Sequence, residues 1–390
     1  MELFSFNSIE IILFILGTTW LTIQFIYYFS LYNKILLRHR ATSRGEVYFN
    51  QELPPISVII TAREEYENLQ RNLTSILEQD YPCFEVIVIN DGNTDESEDY
   101  LTIMQERYSH LYHSFVPSSS RYISRKKLAL SLGIKAAKHE WLVFTDANCQ
   151  PTSNQWLRLM ARNFTPHTQI VLGYSGYEHG KGWLQKIINF ENLFSQLRFL
   201  SFALIGKPYM GMGKNLAYRK SLFFEQKGYT THLHLQHGAD DLFINQVANG
   251  NNTRVEIDAN SVMRMQPMKR TKTWSEEKIG YANTARLYHG IQPILLGFET
   301  FSRLMFHFTW IMIVIEGVLH MQWVVASIGL LLFIVRFITQ AIIINKSAKV
   351  LNEKYRYYSL LPLFDFIQPW LSFKWRMHCL LRKKQEFMRK

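Results

Sequence analysis

From Ile11 to Tyr32 the chain runs for 22 residues without a formal charge. A helix of that length is about 33 Å long, enough to cross a ~30 Å hydrocarbon core. Inside lipid, only a helix or a closed barrel satisfies every backbone N–H and C=O. The run is therefore expected to be a membrane anchor. It does not read as a cleaved leader, because the residues before it include Glu2 and Glu10 and no Lys or Arg. It is also too long, and no small-residue cleavage site follows. The other reading, a buried core helix, leaves the length and absence of charge unexplained.

Two further apolar runs, Leu304 to His320 and Trp323 to Ile344, flank a tight connection at Met321–Gln322. Each is long enough to span. Glu316 and Arg336 interrupt them, and a charge at mid-membrane costs about 2.5–3.5 kcal/mol. At 1.5 Å per residue Glu316 lies about 6–8 Å from the turn and Arg336 about 21 Å from it. At those depths the two are not expected to pair, and each is expected to snorkel to its own interface. A fourth stretch, Tyr357 to Phe373, contains Pro362, Asp365 and Pro369. It is read as interfacial or re-entrant, with a true span as the alternative.

The 43 Lys and Arg against 32 Asp and Glu give a net charge of +11, and the excess lies beside these runs. Lys34, Arg38, Arg40 and Arg44 follow the first. Lys269, Arg270, Lys272, Lys278 and Arg286 precede the second. Lys346, Lys349, Lys354 and Arg356 follow the third. The bias of basic residues places all three groups in the cytoplasm. A further basic tail, Lys374, Arg376, Arg382, Lys383, Lys384, Arg389 and Lys390, stays there only if the fourth stretch does not cross. The expected organisation is an anchor over residues 1–44, a cytoplasmic domain over 45–290, and a membrane hairpin with interfacial segment and tail over 291–390. Juxtamembrane charge suits anionic lipid. No recognition motif accompanies it, so no nucleic-acid partner is expected. Three cysteines without a C-x-x-C pair exclude a disulfide framework and a zinc ribbon.

Residues 56–61 (ISVIIT), 84–89 (FEVIVI) and 141–145 (WLVFT) read as buried strands. Helical spacing covers 65–79 and 126–137. Polar clusters end the strands: Thr61-Ala62-Arg63-Glu64, Asn90-Asp91-Gly92-Asn93 and Asp146-Ala147-Asn148. This alternation predicts an α/β domain with a Rossmann-type sheet, whose ligands bind at the strand C-termini. No G-x-G-x-x-G follows the first strand, so a dinucleotide site is not expected. Each polar cluster is also good turn chemistry on its own.

The ordered segments PPISVIITAREE, EVIVINDGNTD, KKLAL, FTDANC, GMGKNLAYRK and GADDLF resemble the family 2 glycosyltransferases with a GT-A fold, over roughly residues 50–290. The flanking apolar runs are similar to the membrane-bound branch of that family. The resemblance implies a mixed-sheet GT-A domain with transmembrane helices at both ends, acting on a nucleotide-diphosphate sugar. On it, Thr61, Ala62 and Glu64 belong to the nucleotide-binding segment. Asp91 stands where a carboxylate accepts the N–H of a uracil-like base. Lys126 matches the cation near the phosphates, with Lys127 as its substitute. Asp146 and Asn148 match the D-x-D site for a divalent Mg²⁺ or Mn²⁺, which prefers hard oxygen ligands. Asn148 departs from the pattern with a neutral oxygen, so Asp146 is expected to carry most of the coordination. Asp240 falls on the base that takes the acceptor's proton. Asp241 is the alternate, and both could instead be helix caps. Gly213 and Asn215 belong to an acceptor-side loop or an ordinary turn.

Polymer-making relatives carry Q-x-x-R-W where this chain has Glu277-Lys278-Ile279-Gly280-Tyr281. Lys278 keeps a cation and Tyr281 an aromatic for the acceptor and diphosphate side, while the Arg is lost. The expected activity is inverting transfer from a nucleotide sugar, taken as a UDP-sugar, to a lipid-linked or glycan acceptor at a bacterial inner membrane. A processive polysaccharide synthase is one alternative, for which three or four membrane segments are few. A catalytically weak subunit with partners in a glycan-assembly complex is the other. Trp183–Ile205 reads as a membrane-surface helix or a core helix.

Overall fold

The computed structural model describes residues 6–92, 95–117, 124–268 and 270–381. Glu2, Asn93, Lys269, Arg382, Lys383, Lys384, Arg389 and Lys390, named above, lie outside them. The chain begins with helix α1 (Ser8–Tyr27), a π-turn at Tyr28–Tyr32 and helix α2 (Lys34–Ser43). It then alternates β1 (Ile56–Ala62), α3 (Tyr66–Leu77), β2 (Phe84–Asn90), α4 (Ser97–Arg107), β3 (Leu111–Phe115), α5 (Arg125–Ala136) and β4 (Trp141–Asp146). Next come β5 (Cys149–Pro151), α6 (Trp156–Ala161), β6 (Ile170–Leu172), β7 (Ser175–Tyr177), α7 (Trp183–Leu204), β8 (Leu216–Arg219) and α8 (Lys220–Glu225). After these follow α9 (Asp241–Val247), β9 (Thr253–Val255), β10 (Met263–Met265), α10 (Thr271–Thr284), α11 (Gln292–Leu319), α12 (Trp323–Val350) and α13 (Leu361–Leu381).

Seven strands form one sheet in the order β3-β2-β1-β4-β8-β6-β9, and β5-β10-β7 form a second. In β1, Ile56, Val58, Ile59, Ile60 and Ala62 are all buried. Both faces of the strand are covered, which is why it reads as a continuous apolar run. From β1 the chain moves outward through β2 and β3, then returns to the other side of β1 as β4. The strand order therefore reverses between β1 and β4, where open α/β sheets place their ligands. Parallel register sets Thr61 opposite Asp146 and Ala62 opposite Asn90 at that edge.

Among the described residues, three helical segments are long and apolar enough to cross a membrane: Ser8–Ser43, Gln292–Leu319 and Trp323–Val350. The helix after them, α13, is not among these segments; it packs along α10. Helix α7 settles as a core helix: Phe190, Phe194, Leu197 and even Asn192 and Gln196 are buried. The Phe194 ring lies 5.3 Å from Tyr32 of the π-turn, and Phe190 lies 5.2 Å from Phe364 of α13. Burial on every side along most of its length explains why its sequence lacks a clean polar stripe.

Arg336 departs from the expectation of snorkelling. It is buried, donating to Asp365 at 2.7 Å and to the Gln24 side chain at 3.0 Å. Asp365 also accepts from Gln340 at 2.7 Å and meets His307 at 2.8 Å. Beside it, Glu299 joins Arg198 of α7 and Arg303 of α11, each at 2.5 Å. A carboxylate delivered by α13 supplies inside the bundle what the interface was expected to supply. Apolar window counts see only single helices, so this partner was hidden. Glu316 does stay near the turn, 3.4 Å from His320.

Deleting one partner of such a buried pair costs about 3–5 kcal/mol, because the other charge is stranded. Asp365→Ala should therefore lower the melting temperature of the detergent-purified chain markedly, and Arg336→Leu in that background should recover part of the loss. A melting temperature equal to wild type in Asp365→Ala would contradict this role.

Candidate active site

The C-terminal edge of β1 and β4 carries the first group of side chains. Thr61 donates to Asp146 Oδ1 across 3.4 Å, and Lys126 Nζ donates to the same oxygen at 2.9 Å. Lys126 reaches it from the first turn of α5. Burial pushes the Asp146 carboxyl up, but Lys126 and Lys214 outweigh it, so its pKa stays below the usual range. For Lys126, burial opposes the charge while Asp146 and Asp240 more than compensate, and its pKa is raised. Both groups are thus ionised at neutral pH.

Lys214 was quoted in a motif and given no role by the sequence reading. Strand β8 runs antiparallel to β4, with Leu216 opposite Phe144. The residues just before β8 therefore arrive beside the end of β4, and Thr145 Oγ1 donates to the Lys214 carbonyl at 3.1 Å. The Lys214 ammonium pairs with Glu277 of α10 at 2.6 Å. Only topology reveals this placement. Arg125, also unassigned, donates from Nε to Asp91 Oδ1 at 2.5 Å. Asp91 is thereby fixed at the end of β2, beneath the exposed loop holding Glu64, whose φ is 53°. A non-glycine residue in that region is uncommon.

Asp240 occupies the opposite wall. Gly238 precedes it at φ 96°, a left-handed conformation that glycine adopts without a Cβ clash. Its Oδ2 accepts from the Gly213 N–H at 2.8 Å and from the Tyr281 hydroxyl at 3.2 Å, and its Oδ1 caps the Asp241 N–H at 3.0 Å. Asp240 is partly exposed, whereas Asp241 is buried. Asp241 Oδ2 accepts from Thr284 and, at 2.7 Å, from the Tyr288 hydroxyl. Burial and the adjacent Asp240 charge push the Asp241 carboxyl up to about 7. Of the pair, Asp240 is the carboxylate a substrate could reach.

Three residues sit elsewhere than the sequence reading placed them. Lys127 turns inward, donating to the Leu235 carbonyl at 2.8 Å and the His232 carbonyl at 2.5 Å; it cannot stand in for Lys126. Asn215 is buried, its amide nitrogen bonding the Tyr174 and Ser261 carbonyls at 2.8 and 2.9 Å and its oxygen accepting from Trp156 at 3.0 Å. Those bonds leave it a clamp between strands rather than an acceptor contact. Lys278 pairs with buried Glu191 of α7, away from Asp146. Spacing along α10 cannot tell which of Glu277 and Lys278 faces the cleft. At Gly280 an added Cβ would lie 2.8 Å from His237 Nδ1, so the imidazole fills the space a larger residue would need.

The donor set fits a divalent ion only in part on its own. Asp146 offers an ionised carboxylate and Asn148 a neutral amide oxygen, which accepts a weak bond from Cys149 at 3.3 Å. No cluster of three His, Cys, Asp or Glu is present among the described residues. A hexacoordinate Mg²⁺ or Mn²⁺ would complete its shell with phosphate oxygens and water, as such ions do. These residues fit an ion that arrives with a diphosphate.

Residues 57–225 match the family described as Glycosyl transferase family 2. Over 127 residues the chain is 30% identical to a poly-beta-1,6-N-acetyl-D-glucosamine synthase of Staphylococcus epidermidis, covering 32% of this chain and 28% of that one. Over 107 residues it is 30% identical to glycosyltransferase AglE of Haloferax volcanii, covering 27% of this chain and 34% of that one. The chain thus spans about a third or less of these curated relatives. The solved mannosyltransferase PcManGT from Pyrobaculum calidifontis, in complex with GDP-Man and Mn²⁺, superposes with a TM-score of 0.58 at 18% identity, covering 96% of this chain and 99% of that one. The chain carries a family 2 glycosyltransferase domain with the GT-A fold.

Asp241 gives the pair a pH signature. Its folded pKa near 7 exceeds the unfolded 3.8, so between those values the folded state binds more protons. This contribution to stability is present in acid and is lost as pH rises through 7. The melting-temperature difference between wild type and Asp241→Asn should shift against wild type across that window; a pH-independent difference would contradict the assignment.

Proposed function

We propose that this chain, with its family 2 domain, is an inverting glycosyltransferase that moves a sugar from a nucleotide-diphosphate donor, a UDP-sugar, to a lipid-linked or glycan hydroxyl. The single observation carrying the reading is the placement of Asp240. Its carboxylate is aimed by Gly213 and Tyr281, partly exposed, and faces the Lys126–Asp146 pair. In an in-line displacement, the acceptor oxygen bonds to the anomeric carbon as its proton passes to Asp240. The bond from that carbon to the diphosphate oxygen breaks, and the leaving group departs with the electron pair. Lys126 and Lys214 are held beside the edge where that negative charge develops, which lowers its cost without reorganisation.

Thr61, Ala62, Glu64 and Asp91 form the nucleotide side of the cleft in this reading. Asp146 and Asn148 would hold a Mg²⁺ or Mn²⁺, which when bound supplies charge neutralisation to the diphosphate. The basic residues flanking the apolar helices support a position of the domain at the cytoplasmic face of a bacterial inner membrane. Single transfer is favoured over processive synthesis by Gly280 and His237. The pair replaces the bulky cation of the polymer-making pattern with an imidazole packed on backbone.

The test follows labelled sugar from a panel of nucleotide sugars into a membrane lipid extract. Asp240→Asn should lower transfer by about 100- to 10,000-fold, the usual worth of a positioned base, while nucleotide affinity stays unchanged. Full transfer by this variant would remove Asp240 from the mechanism.

A further inference from the structure

Helices α2 and α12 end side by side where the apolar bundle meets the sheet domain, and between them lies a crevice of about 480 Å³. His39 and Arg40 line it from α2, and Lys346 and Lys349 from α12. All four are exposed, and no ion pair joins Arg40, Lys346 or Lys349 to a carboxylate among the described residues. Leu36 and Val350 give the crevice an apolar floor. Its one acid, Asp258, is already engaged: it lies 3.5 Å from Arg162 and accepts from the Asn260 N–H at 3.0 Å.

The surroundings add cations rather than balance them. Behind the crevice Arg38, Arg162 and Arg254 crowd the Phe49 ring at 5.7, 4.4 and 5.8 Å. Glu256 takes up Arg162 at 2.7 Å. Six Arg and Lys side chains therefore face two carboxylates. Crowding of such like charges on a folded surface is unfavourable unless a counter-charge is bound.

The depth identifies the counter-charge. Lys346 lies about 35 Å along α12 from Trp323 at 1.5 Å per residue, just beyond a ~30 Å hydrocarbon core. A site there meets lipid headgroups, with acyl chains alongside. It is also remote from the cleft, since Asp258 follows β9 at the far edge of the sheet from β1 and β2. We infer that this crevice binds the phosphate headgroup of an anionic membrane lipid, seating it between α2 and α12 at the junction of bundle and sheet domain. The inference rests on α1 and α12 crossing the bilayer, and is independent of which donor the cleft takes.

Native mass spectrometry of the full chain, released from nanodiscs of equal phosphatidylglycerol and phosphatidylcholine, tests it. Wild type should retain phosphatidylglycerol selectively. Arg40→Gln/Lys346→Gln/Lys349→Gln should lose it by at least about tenfold, given the worth of each basic residue at a membrane surface. A control that removes exposed charge from the sheet domain, Arg107→Gln/Lys135→Gln/Lys227→Gln, should retain it. The single reversal Lys349→Glu should also weaken it, and UDP affinity of all variants should match wild type. Undiminished phosphatidylglycerol in the triple variant, equal loss in the control, or equal retention of phosphatidylcholine would overturn the site. A protein dimer that vanishes with the triple variant would assign the crevice to a second copy and likewise overturn it.

Discussion

Two adjacent carboxylates tie the sheet domain to the membrane-proximal helix. Asp240 takes the Gly213 N–H and the Tyr281 hydroxyl, and Asp241 takes Thr284 and Tyr288. Tyr281 and Thr284 lie on α10, and Tyr288 lies in the segment joining α10 to the first helix of the apolar hairpin. Any movement of that helix is therefore felt at both carboxylates. Their environments differ sharply: one is partly open to the cleft, the other is buried against hydroxyls. Like charges on neighbouring residues cannot both be ionised cheaply out of water, so burial pushes protonation onto Asp241. That asymmetry leaves Asp240 as the carboxylate open to the cleft.

A second charged assembly does the same work one layer further out. Arg198, Glu299, Arg303, Arg336 and Asp365 join α7, α11, α12 and α13 in a buried interior. Buried pairs of this kind contribute little net stability against an apolar alternative. What they supply is register, because each carboxylate satisfies cations from different helices only in one arrangement. The apolar helices, the core helix α7 and the cleft are thereby held in one relation.

Much of this was legible in the sequence, for physical reasons. Buried parallel strands must be apolar on both faces, so ISVIIT, FEVIVI and WLVFT announced themselves. Chain reversal at a strand end needs polar turn residues, which drew attention to Thr61, Asp91 and Asp146. What the sequence hid was everything decided by a partner far along the chain. Arg336 looked like a snorkelling residue because Asp365 is distant in sequence. Lys127 and Lys126 are neighbours of equal chemistry, and only the turn of α5 separates a buried structural cation from one facing Asp146. Asn215 sat in a promising loop, yet Tyr174, Ser261 and Trp156 use its whole amide. Lys214 and Arg125 gained their places from the antiparallel β8 and the end of β2.

Turnover at the cleft between Asp146 and Asp240 is what the geometry of these two carboxylates implies. The most direct measurement is release of free nucleoside diphosphate by the detergent-purified full chain, offered a panel of nucleotide sugars with native lipid extract, with and without Mg²⁺ or Mn²⁺. The account predicts release from one donor that depends on the divalent ion and on added extract. Nucleotide that binds while no donor releases diphosphate would contradict it, and would leave Asn148 and Gly280 as marks of a domain that keeps the fold without the reaction.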